Sequence, residues 1–397
     1  MGYVDTEAPA APAHQQPDWL DAGEAMRIRR LLAARPPLVS LEDVCALRAR
    51  LARVAAGEEL VMQAGDCAED PADCDDERVL LKAATIDECA ATLAAIDGAP
   101  VLRIGRIAGQ FAKPRSRPVE QVGGVELPVY RGHMVNGPYA DARSRFPDPR
   151  RILTGYLAAS RMMGVLGWNG TAGREEPRTA TDGGVVWTSH EALLLDYELP
   201  MLRGGQGGPN WLASTHFPWI GDRTRQPDGA HVALLAAVAN PVGCKVGPGT
   251  GPEDLAAVCR RLDPEREPGR LTLIARMGAG RVEDLLPPLV RRVREAGHPA
   301  IWLCDPMHGN TISTADGRKT RLLTTIRQEI SRFRLAVTRS GGVAGGLHLE
   351  ITPDNTTECV RDESELERVP DLYASLCDPR LNPRQARTVI AAWAAAS

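Results

Sequence analysis

Short apolar runs recur along the chain, and longer stretches with helical periodicity separate most of them. Apolar runs bounded by turn residues predict β-strands, whereas apolar residues spaced three and four apart predict amphipathic helices. The eight predicted strands are residues 59–63, 101–104, 185–188, 213–219, 240–245, 271–275, 301–304 and 346–351. Strands that alternate with helices favour parallel βα units, and eight such units predict an α/β fold of the (β/α)8 TIM-barrel class.

The chain before the first strand is predicted to be helical over residues 17–56. Ser40 and Asp43 form a capping-box-like helix start. The apolar residues that follow on one helix face are Val44, Leu47, Leu51 and Val54. We expect this extension to cover the bottom of the barrel or to form a subunit contact. The chain then divides into a disordered tail at 1–16, rich in Ala and Pro, the helical extension at 17–56 and the barrel domain at 57–397.

Helical periodicity within the barrel domain predicts the helices at residues 77–96, 150–166, 281–297, 320–333 and, at the end, 379–396. Residues 117–150 lack clear periodicity, and so long an irregular stretch is more often functional than a simple connection. Residues 167–184 are polar and rich in turn residues, which predicts a mobile loop. The sequence contains no dinucleotide-binding glycine motif and no P-loop.

Composition narrows the class of protein. A chain of 397 residues with 43% hydrophobic residues is typical of a globular protein. The net charge of −4 argues against nucleic-acid binding, and no apolar run reaches the length of a membrane span. The N-terminus lacks the features of a secretory signal. Nine cysteines without disulfide-scaffold spacing predict mostly buried, reduced thiols in a cytoplasmic protein.

Four residues with metal-binding side chains follow or end apolar runs. They are Cys67, His308, Glu350 and Asp378. Sulfur, nitrogen and oxygen donors together suit a divalent first-row transition metal better than magnesium or calcium, which prefer oxygen. Cys377 adjoins Asp378, and a reversible Cys67–Cys377 disulfide would block metal binding by consuming the thiolate.

Basic residues also occur one at a time near the ends of predicted strands. They are Arg106, Lys113, Arg115, Arg223, Lys245 and Arg276. Lys245 precedes the segment GPGTG, whose backbone N–H groups suit a phosphate, and Ser116 adds a hydroxyl beside Arg115. The C-terminal ends of barrel strands meet at one mouth, so these cations predict a substrate or substrate pair with several negative charges.

Long motifs then show a specific resemblance between about residues 40 and 385. They are QAGDCAE, RIAGQFAKPRS, YRGHMVNG, SHEALLLDYE, THFPWIGDRTRQPDGAH, ANPVGCKVGPG, RMG, CDPMHGNT, GGLHLEIT and CDPRLN. The chain resembles the type II 3-deoxy-D-arabino-heptulosonate 7-phosphate (DAHP) synthases. The resemblance implies condensation of phosphoenolpyruvate with erythrose 4-phosphate at the entry to the shikimate pathway.

The resemblance also implies a role for each matching residue. Cys67, His308, Glu350 and Asp378 match the metal ligands, with Mn²⁺ or Co²⁺ favoured and Zn²⁺ or Fe²⁺ as alternatives. The positions that match the phosphoenolpyruvate-binding cations are Arg106, Arg223, Lys245 and Arg276. The positions that match the aldose phosphate site are Lys113, Arg115 and Ser116. Lys245 or His308 would manage proton transfer, and Asp222 would hold the water near the reacting carbon, although the family usually has the longer Glu there.

A second departure from the family is length. Members of primary metabolism carry extra helices, used for feedback by aromatic amino acids, where this chain has only residues 167–184. The chain therefore resembles the short, phenazine-type members of secondary metabolism, which escape feedback. The resemblance also implies a homo-oligomer, expected to be a dimer.

Two other functions stay open from the sequence. The first is the same chemistry on a 4-amino-4-deoxy aldose phosphate, because nothing in the KPRS segment separates the two aldoses. The second is a catalytically silent barrel that regulates a partner such as a chorismate mutase. The intact set of metal ligands and cations argues against a silent barrel.

Overall fold

Eight parallel strands close into a barrel in the computed structural model, which describes residues 11–122, 124–168, 185–204 and 208–396. The strands are β1 (Leu60–Gly65), β2 (Val101–Arg106), β3 (Val186–Glu191), β4 (Phe217–Ile220), β5 (Val242–Val246), β6 (Leu271–Ala275), β7 (Ile301–Cys304) and β8 (Val343–Glu350). Each strand pairs with its neighbour in sequence, and β8 closes the barrel against β1. The predicted (β/α)8 TIM barrel is confirmed.

Helices surround the barrel and connect its strands. They are α1 (Ala22–Ala33), α2 (Leu41–Ala55), α3 (Asp76–Asp97), α4 (Arg151–Val165), α5 (Ala230–Ala236), α6 (Pro252–Leu262), α7 (Val282–Glu295), α8 (Leu323–Arg339) and α9 (Pro383–Ile390). The five predicted barrel helices correspond to α3, α4, α7, α8 and α9. α5 and α6 were absent from the sequence prediction.

The N-terminal helices precede β1, as predicted. The side chains of Ser40 and Asp43 cap α2 reciprocally, and all four apolar residues predicted for one face are buried. The N–H of Leu38 donates to the carbonyl of Ala213 at 2.9 Å. α2 lies against the start of β8, where a Cβ added at Gly345 would come within 3.1 Å of a Val54 methyl group. The helix therefore covers the N-terminal end of the barrel, opposite the catalytic end of this fold.

Short elements occur where the sequence pattern was weakest. The stretch 117–150, predicted to be irregular, contains the hairpin Val119–Val122 and Val125–Pro128 and the helical turn Ala142–Arg145. Further short elements are the helical turns Pro71–Asp73, Leu195–Glu198, Leu199–Met201, Glu363–Arg368 and Ala391–Ala396, and the strand pairs Leu202–Arg203 with Trp211–Leu212 and Ile312–Ser313 with Lys319–Thr320.

The predicted strand 213–219 begins only at Phe217. The preceding residues bond to side chains instead of extending the strand: the Asn240 amide donates to the carbonyls of Thr215 and Leu212 at 3.0 and 3.1 Å. The sequence pattern alone did not reveal that the Asn240 side chain would bind backbone carbonyls that precede the strand.

The two predicted mobile segments fall partly outside the described residues. These residues include neither 1–10 of the tail nor 169–184 of the loop. Residues 11–16 are held against the barrel: the Gln16 side chain bonds Leu193 and Leu195 at 2.9 Å, and the carbonyl of Pro12 accepts from Ala230 at 3.0 Å. In the described part of the chain, no helix is long and apolar enough to span a membrane.

Candidate functional site

The C-terminal ends of all eight strands contribute a polar group to one mouth of the barrel. In strand order these residues are Cys67, Arg106, Glu191, Arg223, Lys245, Arg276, His308 and Glu350. Strand register places these residues at a similar level along the barrel axis: Gly65 of β1 pairs with both Arg106 and Glu350. Parallel strands in a barrel thus bring residues far apart in sequence into one site.

The four predicted metal ligands come together at this mouth. Ligand atoms of Cys67, Glu350 and Asp378 lie within 4.8 Å of one another. Nε2 of His308 lies 3.2 Å from Oε1 of Glu350. The Asp378 segment is held beside the barrel by a parallel bridge between Ile351 and Leu381, and the Asp378 N–H donates to the Cys67 sulfur at 3.1 Å.

Hydrogen bonding selects which nitrogen of His308 faces the cluster. Nδ1 of His308 lies 2.8 Å from a carboxylate oxygen of Asp305, a fully buried residue directly after β7. Asp305 is ionised, because His308 and Lys245 hold its pKa well below the usual range despite burial. The carboxylate therefore accepts a hydrogen bond from Nδ1 and directs Nε2 towards Glu350 and the other candidate ligands, an arrangement common among histidine ligands of metals.

The surroundings of Cys67 favour the thiolate form of its side chain. Burial acts to raise its pKa, but the hydrogen bond from Cys377 and the charge of Lys113 lower the pKa to about 7. The Cys377 pKa is raised well above its usual value by the same hydrogen bond and by burial, so Cys377 is the donor. Both cysteines are free in the structure.

This donor set fits a divalent transition metal. One thiolate, one imidazole and two carboxylates combine soft and hard ligands, and the pKa of Asp378 is held below its usual range by Lys113 despite burial. Carboxylates, a thiolate and an unprotonated ring nitrogen are the forms that bind a metal ion. The donor set accepts the whole group of metals named in the sequence analysis, Mn²⁺, Co²⁺, Zn²⁺ and Fe²⁺.

Neutral His348 forms the floor of the mouth. Its Nδ1 lies 2.7 Å from Oε1 of Gln63, so the ring proton is on Nδ1. Nε2 then accepts from Arg106 at 2.7 Å and from Lys245 at 2.8 Å. Burial and these two cations hold the His348 pKa well below its usual value. Lys245 also bonds Asp305, so the two deepest cations are fixed before any substrate enters.

The remaining predicted cations line an open cavity of about 450 Å³ above this floor. Its wall includes Lys113, Arg115, Ser116, Arg223, Arg276, His308, Lys319 and Asp378. Arg223 donates to the Ser116 hydroxyl at 2.6 Å. Residues assigned from sequence to two different substrates thus line one cavity. Arg223 and Arg276 from the first set lie there with the whole second set and with two candidate metal ligands, His308 and Asp378.

Two predicted residues have additional contacts. Lys113, assigned to the aldose phosphate, is buried, donates to the Cys67 carbonyl at 2.8 Å and lies 3.6 Å from Asp378. Asp222 bonds Arg276 and Arg225, each at 3.0 Å. Gly247 of the GPGTG segment permits this arrangement, because a Cβ there would lie 2.5 Å from an Asp222 oxygen.

Sequence reasoning missed at least three charged residues of the site: Glu191, Arg321 and Lys319, which lines the cavity and donates to Asp378 at 2.8 Å. Glu191 ends β3 and is half-buried, and its buried Oε1 atom has no hydrogen-bond partner in the described ranges. Burial raises its pKa, and the charges of Lys113 and Lys245 oppose that shift. Its place at a strand end was a usable signal. Arg321, which contacts Glu350, follows no barrel strand and offered no such signal.

The fold and the site together define a (β/α)8 barrel in which a candidate mixed-donor metal site adjoins a cation-lined cavity, an arrangement typical of barrel enzymes. The model of the class II DAHP synthetase family matches residues 5–180 and 163–394 of the chain. The chain therefore belongs to the class II DAHP synthetase family.

Individual relatives match over nearly their whole length. A Pseudomonas fluorescens protein described as a probable phospho-2-dehydro-3-deoxyheptonate aldolase is 54% identical over 383 residues, covering 96% of this chain and 95% of the relative. The phospho-2-dehydro-3-deoxyheptonate aldolase of Mycolicibacterium smegmatis is 38% identical over 424 residues, covering 95% and 90%. The one of Streptomyces coelicolor is 39% identical over 419 residues, covering 94% and 93%.

Proposed function

We propose that this enzyme condenses phosphoenolpyruvate with D-erythrose 4-phosphate, releasing phosphate and forming DAHP, in a metal-dependent reaction. The observation that carries the proposal is that two of the four candidate metal ligands, His308 and Asp378, lie on the wall of the cation-lined cavity, and that Asp378 clusters with Cys67 and Glu350. Two phosphorylated substrates need several cations, and the carbonyl that is attacked needs an electrophilic centre. Both requirements are met within one mouth of the barrel, and the names of the relatives agree with this reaction.

The deep cations would bind and orient phosphoenolpyruvate. Arg106 and Lys245 converge on neutral His348, while Arg276 is held by Asp222 and by the carbonyl of His308 at 2.9 Å. These groups are preorganised, so they offset substrate charge without reorganising during the reaction. The bound metal would polarise the aldehyde oxygen of the aldose phosphate as a Lewis acid.

Carbon–carbon bond formation precedes the loss of phosphate. The π electrons of the C2–C3 double bond of phosphoenolpyruvate form a bond from C3 to the aldehyde carbon, the aldehyde π bond breaks, and the aldehyde oxygen takes up a proton. Water adds to the positively charged C2 and gives up one proton; the C2–O bond to phosphate then breaks, inorganic phosphate leaves, and loss of the second proton gives the ketone. Lys245 is placed to hold or move a proton at Nζ, and Glu191 and Asp222 are the carboxyl groups near the cations that can orient the water.

The aldose phosphate would bind nearer the opening. Arg115 and Ser116 line the cavity at the KPRS segment, and Arg223 already bonds the Ser116 hydroxyl. Lys113 lies between this segment and the metal ligands, so its charge would act on the aldehyde end of the same substrate. This arrangement keeps the phosphate at the cavity wall and the carbonyl near the metal.

Phosphate release tests the proposal directly. Enzyme loaded with Mn²⁺ or Co²⁺ is expected to release phosphate from phosphoenolpyruvate only when erythrose 4-phosphate is present, and a chelator is expected to stop turnover until metal is restored. Parallel assays with the 4-amino-4-deoxy aldose phosphate show which of the two aldose phosphates is the substrate. Absence of turnover with either aldose in the metal-loaded enzyme would contradict the proposal and favour a silent regulatory barrel.

We further propose that the enzyme serves a secondary-metabolite route and is not inhibited by aromatic amino acids. The alignment with the M. smegmatis relative spans 424 residues, more than the 397 of this chain, so that relative contains residues that this chain lacks. The family model also matches in two pieces that meet at residues 163–180. Both observations support loss of the regulatory segment at the predicted place.

Turnover is therefore expected to be unchanged by tryptophan, phenylalanine and tyrosine, singly or together, at physiological concentrations. The physical reason is the absence of the chain segment that would form their binding site. Initial rates at subsaturating phosphoenolpyruvate, with the S. coelicolor relative assayed in parallel, provide the measurement. Inhibition of this enzyme by any of the three aromatic amino acids would contradict the proposal.

The cellular setting follows as part of the same proposal. All nine cysteines are free, which suits a reducing cytoplasm. We propose a homodimer with no nucleic-acid or membrane partner. Gel filtration with light scattering measures the assembly state, and a monomer at micromolar concentration would contradict the dimer.

A further inference from the structure

Arg321 is a fully buried arginine that contacts three ligand-bearing segments. One guanidinium nitrogen donates to Oε2 of Glu350 at 2.8 Å and also to the carbonyl of Pro379, the residue after Asp378. Its Nε donates to the Thr311 hydroxyl at 3.0 Å, three residues beyond His308. A single side chain therefore connects the segments that carry three of the four metal ligands.

The two oxygens of Glu350 have different surroundings. Oε1 lies 3.2 Å from His308 and 3.0 Å from Arg106, on the side of the other metal ligands. Oε2 faces Arg321. The carboxylate is fully buried, and His308, Arg321 and Arg106 keep its pKa well below the usual range although burial acts to raise it. Oε1 is thus the oxygen on the side of His308, whereas Oε2 is turned towards Arg321.

From these contacts we infer that Arg321 is a positioning residue, which makes Glu350 a single-oxygen metal ligand and holds the His308, Glu350 and Asp378 segments in register. The inference rests on the metal centre of the proposed function. Arg321 Nη2 has no hydrogen-bond partner within the described part of the chain. Burial of an incompletely bonded guanidinium is costly, so stabilising the fold alone does not explain an arginine here.

An electrostatic role and a positioning role for Arg321 predict opposite changes in metal affinity when Arg321 is replaced, so the two roles can be told apart. A cation beside the centre repels a divalent metal, so removing the charge would tighten metal binding if charge were the main effect. Removing the Arg321 guanidinium frees Glu350 to rotate and bind through both oxygens. Metal binding is then weaker, because the preorganised geometry is lost. Outer partners of metal ligands typically contribute about 10- to 100-fold to metal affinity.

The test compares Arg321→Met and Arg321→Lys with wild type in the full-length enzyme. Arg321→Lys keeps the charge but cannot contact Glu350, Thr311 and Pro379 together. Arg270→Met is the matched control, because Arg270 is also buried, donates to the carbonyls of Leu262 and Leu235 at 2.9 and 2.7 Å, and lies before β6 at the opposite end of the barrel.

Mn²⁺ binding to the apo-enzymes is measured without substrates, by the electron paramagnetic resonance signal of the free ion. Both Arg321 variants are expected to bind Mn²⁺ roughly 10- to 100-fold more weakly than wild type. Arg270→Met is expected to lower the melting temperature while keeping wild-type affinity. In the Arg321 variants, visible absorption of bound Co²⁺ is expected to weaken, since bidentate Glu350 raises the coordination number.

Tighter Mn²⁺ binding by Arg321→Met, or unchanged affinity and Co²⁺ spectrum in Arg321→Lys, would overturn the positioning role. Absence of metal binding by wild type would instead refute the metal centre itself, so the two failures are distinct. If Arg321→Met does not fold, Arg321→Lys alone decides the question.

Discussion

Replacing Cys67 by serine is expected to abolish metal binding at the barrel mouth and to lower turnover by roughly a thousandfold, because a bound metal supplies several kcal/mol of transition-state stabilisation. The thiol pKa of about 7 means that a large fraction of Cys67 is thiolate at neutral pH. A serine hydroxyl at the same place stays protonated and is a far weaker ligand. Steady-state phosphate release and metal content after gel filtration measure the two effects.

The control for Cys67→Ser is Cys259→Ser. Cys259 is also buried, but it lies on α6, away from the mouth, and burial raises the pKa of its thiol. Cys259→Ser is expected to keep metal and turnover. Wild-type turnover by a Cys67→Ser enzyme that has lost its metal would show that the reaction does not need the centre.

Replacing Lys245 by methionine is expected to lower kcat/KM for phosphoenolpyruvate by about a hundred- to a thousandfold, the usual effect of losing one preorganised charge in an active site. Lys245 is buried beside Asp305 and His348 at the C-terminal end of β5. Its loss would remove a fixed positive charge from the proposed phosphoenolpyruvate site. Lys82→Met provides a matched control, because Lys82 is equally buried and pairs with Asp66 at 2.9 Å outside the cavity.

The pH dependence of wild type follows from the same lysine. Burial and the nearby charge of Arg106 lower the Lys245 pKa to about 8, although Asp305 opposes the shift. The cationic form, which binds phosphoenolpyruvate, is present below this pH. The kcat/KM for phosphoenolpyruvate is therefore expected to fall as pH rises through about 8. Lys245→Arg cannot deprotonate in this range, so a persisting decline in that variant would assign it to another group.

The predicted strands show how far local pattern reaches. Seven of the eight agree closely with β-strands of the barrel, whereas 213–219 begins at Phe217 because Asn240 bonds the preceding backbone. Helices α5 and α6 escaped prediction. α5 is short, and the turn-rich segment GPGTG directly before α6 obscures where α6 starts. The hairpin within 117–150 has mostly exposed or half-buried strands, which leave little apolar signal.

The amino-acid sequence by itself determined the barrel, and it identified the four candidate metal ligands and the cations that the structure brings to one mouth. It could do so because strand ends repeat a local pattern and the family motifs are long. Only the tertiary structure decided which partners orient them. The cluster depends on contacts between residues hundreds of positions apart, such as Arg106 with His348. Arg321 shares no strand-end pattern with the others, and its role arises because folding places it between Glu350 and Pro379.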